Sequence, residues 1–283
     1  MISVITINYN NRVGLARTMT SVLDQKVADY EYIVVDGGSD DGSKELIESH
    51  ADRLAAWVSE SDTGIYNAMN KGIALSKGGY LLFLNSGDAL ADENILANIE
   101  QELVDKDIYY GDLLLDFDDQ KEVDIYPNRL TFSFLYNKSL PHPASFIKRD
   151  LFDRVFYYNE KRRLVSDWEF FMCAICKHHA TYKHLGVTIS EFDPSGLSSS
   201  PENNKLMATE RLSVMKDHFS AFIDDINELN ASRALLHTNR FKILAALEDS
   251  KVARKINSFV LRILLKLFKN KTVQQLNKQD HSQ

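Results

Sequence analysis

With only two cysteines in 283 residues, Cys173 and Cys176, the chain has no disulfide framework and fits a reducing compartment. Beside His178 and His179 they look like a metal cluster. There is no second cysteine pair, however, and the spacing lies within one helix, so packing is the expected role. Long apolar runs are missing too: nothing approaches the roughly 20 residues that cross a bilayer. Met1-Ile2-Ser3-Val4 enters a strand at once, with no basic stretch before an apolar core, so no secretory leader is expected. Positive charge is in deficit, 33 Lys and Arg against 40 Asp and Glu, for a net charge of -7. That balance argues against a nucleic-acid binder, which shows a basic field. An anionic ligand would need a local device instead, a metal ion or a helix N-terminus.

What is present is organised around Trp57 to Asp88. Leu54 to Ser59 is short and mostly apolar, like a buried strand. In the turn Ser61-Asp62-Thr63-Gly64, Asp62 or Thr63 can cap a following helix. Ile65, Ala68, Met69 and Ile73 recur at helical spacing, which predicts a helix over Ile65 to Ser76, ended by Lys77-Gly78-Gly79. Tyr80 to Leu84 is continuously apolar, as in a strand covered on both faces. It runs into Asn85-Ser86-Gly87-Asp88, placing small polar residues and a carboxylate where open α/β sheets bind ligands.

The rest follows the same alternation. Ile2 to Ile7 predicts a first strand, and Asn11 caps a helix carrying Leu15, Met19, Val22 and Leu23. Tyr32 to Val35 predicts a second strand that ends in Asp36-Gly37-Gly38-Ser39, ahead of a helix from Lys44. Asp92 caps a helix over Ile95 to Leu103, and Ile108 to Tyr110 is a strand. Strands alternating with helices imply an α/β fold with a mostly parallel sheet and right-handed crossovers. After Gly111 the pattern changes to a hairpin over Leu113 to Tyr126, a strand over Ala144 to Ile147, a helix from Asp167 to about Lys177 and a strand over Thr188 to Phe192. Everything beyond Glu210 reads helical, so the expected organisation is a domain over 1–210 and a helical region over 211–283.

Each candidate site residue has two readings. Asp36 can accept hydrogen bonds from a base or ribose, or belong to a strand-to-helix turn. Asp88 can bind a divalent cation, since Mg²⁺ and Mn²⁺ prefer oxygen ligands, or cap a short helical segment. Asp167 can be the N-cap of its helix, or a general base for a sugar hydroxyl. Lys251 to Lys271 places Val252, Ile256, Phe259, Val260, Ile263, Leu264, Leu267 and Phe268 on one face among seven Lys and Arg, with no acid. This basic amphipathic helix can lie in an anionic membrane surface, or pack on the protein.

Four blocks in register, SVITINYN, EYIVVDGGSDDGS, SESDTGIYNAMNKGIALSKGGYLLFLNSGD and HPASFIKRDLF with SDWEFF, resemble the family 2 inverting glycosyltransferases of the GT-A fold. The likeness is to bacterial members that build O-antigen, capsule and other exopolysaccharides, and it covers roughly Ile2 to Ser200. It implies a nucleotide-sugar donor, a UDP-sugar first, and a polyprenyl-diphosphate-linked glycan acceptor. Asn8 and Asp36 would line the nucleotide pocket, and Asp62 would help hold the base or ribose. Asn85 and Asp88 lie in the segment of the family's metal motif, with Asp88 on an Mn²⁺ or Mg²⁺ ion. His142 would sit by the acceptor loop, Asp167 would be the catalytic base, and Trp168 would shape the acceptor side. In this sequence Asn85-Ser86-Gly87 replaces the motif's usual aspartates, Gly37 stands where many members have a second aspartate, and Ser166 replaces a glutamate. The implied location is cytoplasmic, against the inner face of the plasma membrane. A nucleotidyltransferase would instead want a glycine-rich, basic phosphate loop after the first strand, which Asn8-Tyr9-Asn10-Asn11 is not. A non-catalytic sugar-binding protein of the same fold is the other alternative.

Overall fold

A computed structural model describes residues 1–26, 29–117, 120–194 and 200–267. All seven residues of β1 (Ile2–Asn8) are buried, as a strand paired on both sides and covered on both faces requires. The helix α1 (Arg12–Leu23) follows, and the Asn11 side chain accepts from the Gly14 amide at 3.0 Å. Then come β2 (Tyr30–Asp36), α2 (Ser43–Glu48), β3 (Ala56–Ser59), α3 (Ile65–Leu75) and β4 (Tyr80–Asn85). These strands lie in the order β3-β2-β1-β4, all parallel.

Beyond β4 the chain forms β5 (Ala89–Leu90), α4 (Ile95–Glu100), β6 (Ile108–Phe117), β7 (Gln120–Asp124), α5 (Phe132–Asn137), β8 (Ser145–Lys148), α6 (Asp150–Arg154), α7 (Ser166–Cys176) and β9 (Tyr182–Phe192). β8 joins β4 antiparallel, and β6 lies between β8 and β9, so the sheet is mixed in its second half. β6 and β7 form the expected hairpin, whose turn residues 118–119 lie outside the described residues.

The structure changes several sequence expectations. β6 and β9 are longer than their apolar cores because the two pair in parallel along most of their length. The register shifts around Gly111, where a Cβ would meet the Val187 carbonyl oxygen at 2.4 Å. Neither Asp62 nor Thr63 caps α3; its N-cap is Gly64, and Asp62 Oδ1 accepts from the Gly64 amide at 2.9 Å. Asp88 caps no helix, since β5 follows it directly. Asp167 is not the cap of α7 either; the N-cap is Val165, which makes no side-chain capping bond.

The chain divides into two compact units after His218. The first unit therefore includes all of α8 (Asn204–His218), which packs on α7. The described part of the second contains α9 (Ile223–Leu236), α10 (Asn239–Glu248) and α11 (Lys251–Leu267). Lys269, Lys271 and Phe268 of the predicted basic helix lie outside the described residues.

α3 packs directly on β1: a Cβ at Gly72 would stand 2.4 Å from Ile5 Cγ2, and Ile5 is a fully buried, β-branched side chain. Gly72→Ala is therefore expected to destabilise the fold by about 1–3 kcal/mol through overpacking, read as a lower urea midpoint at unchanged slope. An unchanged midpoint would show that the helix can slide outward at no cost.

Candidate active site

The parallel registers pair Asn8 with Asp36 and Ile7 with Asn85, so three strand ends finish in one row. Asp36 is the hub of this row and has no exposed surface. Its Oδ1 accepts from Asn8 Nδ2 at 2.7 Å and Ser39 Oγ at 2.6 Å. Its Oδ2 accepts from the Gly38 and Ser39 amides at 3.2 and 3.0 Å and from Ser59 Oγ at 2.7 Å. Burial raises the pKa of this carboxyl, but hydrogen bonds from Ser39, Ser59 and Asn8 outweigh it and hold the group below the ordinary range. With five protein donors, Asp36 has no oxygen left for a base or ribose. It orders the loop from within, and the direct bond to a base or ribose expected for it finds no exposed oxygen here. Asn8 is buried as well and acts through Asp36, its Oδ1 having no partner among the described residues.

Beside this hub the surface opens. A Cβ on Gly37 would meet Asp62 Oδ2 at 2.6 Å and the Tyr9 ring at 3.1 Å, so glycine is what lets both approach the loop. Tyr9 is 65% exposed. An exposed aromatic face beside a half-buried carboxylate is an arrangement suited to a stacked, hydrogen-bonding base.

On the other side, Asn85 to Asp88 is held from α1. Asn11 Nδ2 donates to the Ser86 carbonyl at 3.1 Å, Thr18 Oγ1 to the Asp88 carbonyl at 2.6 Å, and Arg17 to the Gly87 carbonyl at 3.0 Å. Gly87 takes a φ of 113°, and its missing Cβ leaves room for Asp193 Oδ2, which would lie 2.4 Å from it. Asp88 is only 2% exposed, and it accepts from the Asn85 and Asp193 amides, both at 3.1 Å. Burial pushes its carboxyl up to about 7. Among the described residues no group of three or more His, Cys, Asp or Glu could hold a metal ion. What the segment does provide are hard oxygens: the Asp88 carboxylate, uncompensated by a full ion pair, and the buried Asn85 Oδ1, which has no partner among the described residues. Such donors fit a Mg²⁺ or Mn²⁺ ion that takes one carboxylate and completes its shell from substrate phosphate.

Asp167 lies one residue into α7 and is half-buried. Its Oδ1 accepts from the Tyr66 hydroxyl of α3 at 2.7 Å. Asp62 lies in the turn that leads into α3, and Tyr66 in the first turn of that helix, so this contact joins Asp167 to the loops at the strand ends. The neighbouring expectations change. His142 is buried, stacked on Phe83 with centroids 4.8 Å apart, and shares a hydrogen bond of 2.8 Å with the Tyr158 hydroxyl. Burial pulls its pKa down to about 4, so it is a neutral core residue with little surface to offer a ligand. Trp168 is buried too; its indole donates to the Leu135 carbonyl at 2.6 Å and ties α7 to α5. The Arg211 guanidinium of α8 lies 4.9 Å from the centre of its ring, and burial lowers the Arg211 pKa while Asp167 raises it. Cys173 and Cys176 are packing residues whose thiols burial pushes up to about 12 and about 11.

The glycosyl transferase family 2 profile matches residues 3–159, more than half of the chain. The chain belongs to that family. Among its curated relatives is a phenolic-glycolipid (PGL/p-HBAD) biosynthesis glycosyltransferase of Mycobacterium bovis, 28% identical over 203 residues, covering 69% of this chain and 78% of the relative. An uncharacterized glycosyltransferase of Mycobacterium tuberculosis is 33% identical over 208 residues, covering 71% and 78%. Among solved structures, Staphylococcus aureus TarS with UDP-GlcNAc superposes with a TM-score of 0.57 at 18% identity, over 71% of this chain and 60% of that one. The mannosyltransferase PcManGT of Pyrobaculum calidifontis, with GDP-Man and Mn²⁺, reaches 0.51 at 14% identity, over 91% and 86%. These likenesses establish the GT-A fold.

In this family 2 glycosyltransferase, Tyr9, Tyr66 and Arg211 lie beside the candidate groups Asp62 and Asp167, and pattern reading passed over all three. Tyr9 follows the first strand directly, a position that could have marked it, whereas Tyr66 and Arg211 carry no local signal.

Asp88 makes stability depend on pH. Its folded pKa, about 7, lies above the ordinary 3.8, so its favourable contribution is complete below about pH 4 and is lost as pH rises through 7. In EDTA, the stability of the parent relative to Asp88→Asn should fall over that interval by up to about 4 kcal/mol. A difference constant with pH, read by urea denaturation, would contradict the burial argument.

Proposed function

We propose that the protein transfers a sugar, with inversion, from a nucleotide-sugar to a hydroxyl of a lipid-linked glycan during assembly of a bacterial surface polysaccharide of the O-antigen or capsule type. The observation that carries this reading is the Asp167 carboxylate, with one oxygen held by Tyr66 and its half-buried side chain leaving the other for a ligand. A nucleotide-sugar donor is supported by the neighbours, which hold UDP-GlcNAc and GDP-Man; a UDP-sugar is the first candidate. Relatives named for phenolic-glycolipid and teichuronic acid biosynthesis support a surface-glycan acceptor.

In this mechanism Tyr9 and Asp62 receive the base and ribose. Asp167 takes the proton from the acceptor hydroxyl as its oxygen attacks the anomeric carbon, in line with the departing nucleoside diphosphate. A single displacement inverts that carbon. Asp88 and Asn85 would hold a divalent cation, which when bound neutralises charge on the diphosphate. A second reading, a nucleotide-sugar-binding protein without turnover, is favoured by the burial of Asp88 and by the reduced metal motif.

Asp167→Asn keeps the size of the side chain and removes its basicity. Turnover of nucleotide-sugar in Mn²⁺ should drop by about 10²–10⁴-fold while the donor still raises the melting temperature. Turnover equal to the parent's would remove Asp167 from the mechanism, and a parent that binds the donor without any turnover would favour the second reading.

The second unit supplies the proposed membrane contact. In α11, Val252, Ile256, Phe259, Val260, Ile263, Leu264 and Leu267 share one face, and all are exposed. Lys251, Arg254, Lys255, Arg262 and Lys266 accompany them, and the helix has no acid. No described helix is long and apolar enough to cross a membrane. The composition suits a helix lying in the anionic cytoplasmic surface, at about 1 kcal/mol per basic residue. A chain ending at Asp249 should lose co-sedimentation with phosphatidylglycerol vesicles; equal co-sedimentation would exclude this role for α11.

A further inference from the structure

Helix α3 has a second face. Its apolar side lies on β1 and β2. Tyr66, Asn67 and Asn70 fall at i, i+1 and i+4, on one side of the helix. All three reach the same distant segment, residues 158–167. Tyr66 donates to Asp167 Oδ1 at 2.7 Å, and Asn67 Nδ2 donates to Glu160 Oε2 at 2.9 Å. Asn70 Nδ2 donates to the Tyr158 carbonyl at 2.8 Å and to Glu160 Oε1 at 2.9 Å, and its Oδ1 accepts from the Tyr158 amide at 3.0 Å. Farther along, the Asn159 amide donates to Ser166 Oγ at 2.6 Å. From the other side, Glu210 of α8 accepts from the Arg163 and Leu164 amides at 2.8 and 3.0 Å. The segment that delivers Asp167 is gripped from two helices, and Tyr66 makes the bond to the carboxylate itself.

We propose that Tyr66 is a positioning residue for glycosyl transfer: its hydroxyl engages Asp167 Oδ1, so that Oδ2 is presented to the acceptor, while Asn67 and Asn70 fix the segment behind it. This rests on Asp167 being the base. Tyr66 is buried, and burial followed by the charge of Asp167 keeps its phenol protonated, so it remains a donor at any working pH. The other titratable groups that feel Asp167 are His142, Tyr158 and Arg211. Burial holds His142 neutral near pH 7, and Tyr158 is likewise kept protonated, which leaves Arg211 as the one cation among them.

The test uses the full chain and four forms: the parent, Tyr66→Phe, Asp167→Asn and the double variant. Each is assayed for nucleotide-sugar turnover in Mn²⁺ from pH 5 to 9, with nucleoside diphosphate binding as the check on folding. Tyr66→Phe should lower kcat by about 10- to 100-fold, the equivalent of one hydrogen bond to a charged group, and change the donor KM less than about twofold. A loss in kcat at a nearly unchanged KM is the signature of a misplaced base, whereas a disturbed fold would weaken donor binding as well. In the Asp167→Asn background, Tyr66→Phe should have almost no further effect. A Tyr66→Phe enzyme with the parent's kcat, beside a slow Asp167→Asn, overturns the role of Tyr66 and leaves the base intact. An Asp167→Asn enzyme as fast as the parent overturns both. Should Tyr66→Phe fail to bind nucleoside diphosphate, Asn67→Ala, which releases Glu160 Oε2 without opening the core, takes its place. It should lower kcat several-fold, and a kcat equal to the parent's would overturn the clamp.

Discussion

Strand β1 is flanked on both sides by parallel neighbours, and everything at the site depends on that arrangement. Parallel pairing forces the carboxyl ends of β2, β1 and β4 into one row, and the residues at those ends are polar: Asp36, Asn8 and Asn85. A carboxylate with no exposed surface is costly unless its lone pairs are filled. Asp36 fills its own from Asn8 at the end of β1, from Ser39 in the loop after β2, and from Ser59 at the end of β3. Three strand ends thus share one anion. Moving any one of them would strand charge, so the loops that face the ligand have little freedom to drift.

That rigidity passes outward through contacts. Gly37, part of the loop ordered by Asp36, leaves room for Asp62 and Tyr9. Asp62 turns the chain into α3, α3 reaches Asp167 through Tyr66, α7 is braced by α5 through Trp168, and the segment leading into α7 is held by α8 through Glu210. The two halves of the site come from sequence segments about a hundred residues apart. They are joined by side chains whose bonds are already made in the protein alone, which is what preorganised catalysis requires.

The legible part of this was local. Apolar runs and helical spacing located β1 to β4, α1 and α3, and the position of Asn85 to Asp88 at a strand end followed from them. What escaped was set by distant partners. Periodicity shows that Tyr66, Asn67 and Asn70 share a face, but not that the face meets residues 158–167. Lys183, His184 and Gly186 interrupt the apolar pattern of β9, while its parallel pairing with β6 carries it past them. His142 sits between two prolines, which carry no sign of burial. Its burial comes from stacking on Phe83, a residue of β4 nearly sixty positions earlier. For Asp36, residue type and the apolar run before it marked a strand end but could not reveal that all its acceptor capacity is spent internally.

The four aspartates of the site can be ranked by what their surroundings leave over. Asp36 has five donors and stays charged, so its chemistry is spent on structure. Asp88 is nearly as buried but has only two amides, and the imbalance shows as a carboxyl near neutrality. A group in that state is stabilised by gaining either a proton or a cation, and below pH 7 the two compete. Asp62 and Asp167 are the partly exposed pair, and each has one oxygen tied by a protein donor, the Gly64 amide and the Tyr66 hydroxyl. One bond orients a carboxylate without exhausting it. Acidic residues therefore divide by donor count into a scaffold, a charge-deficient position suited to a cation, and two groups still able to accept from a ligand. That division follows from hydrogen-bond capacity, and residue type alone would have made the four equivalent.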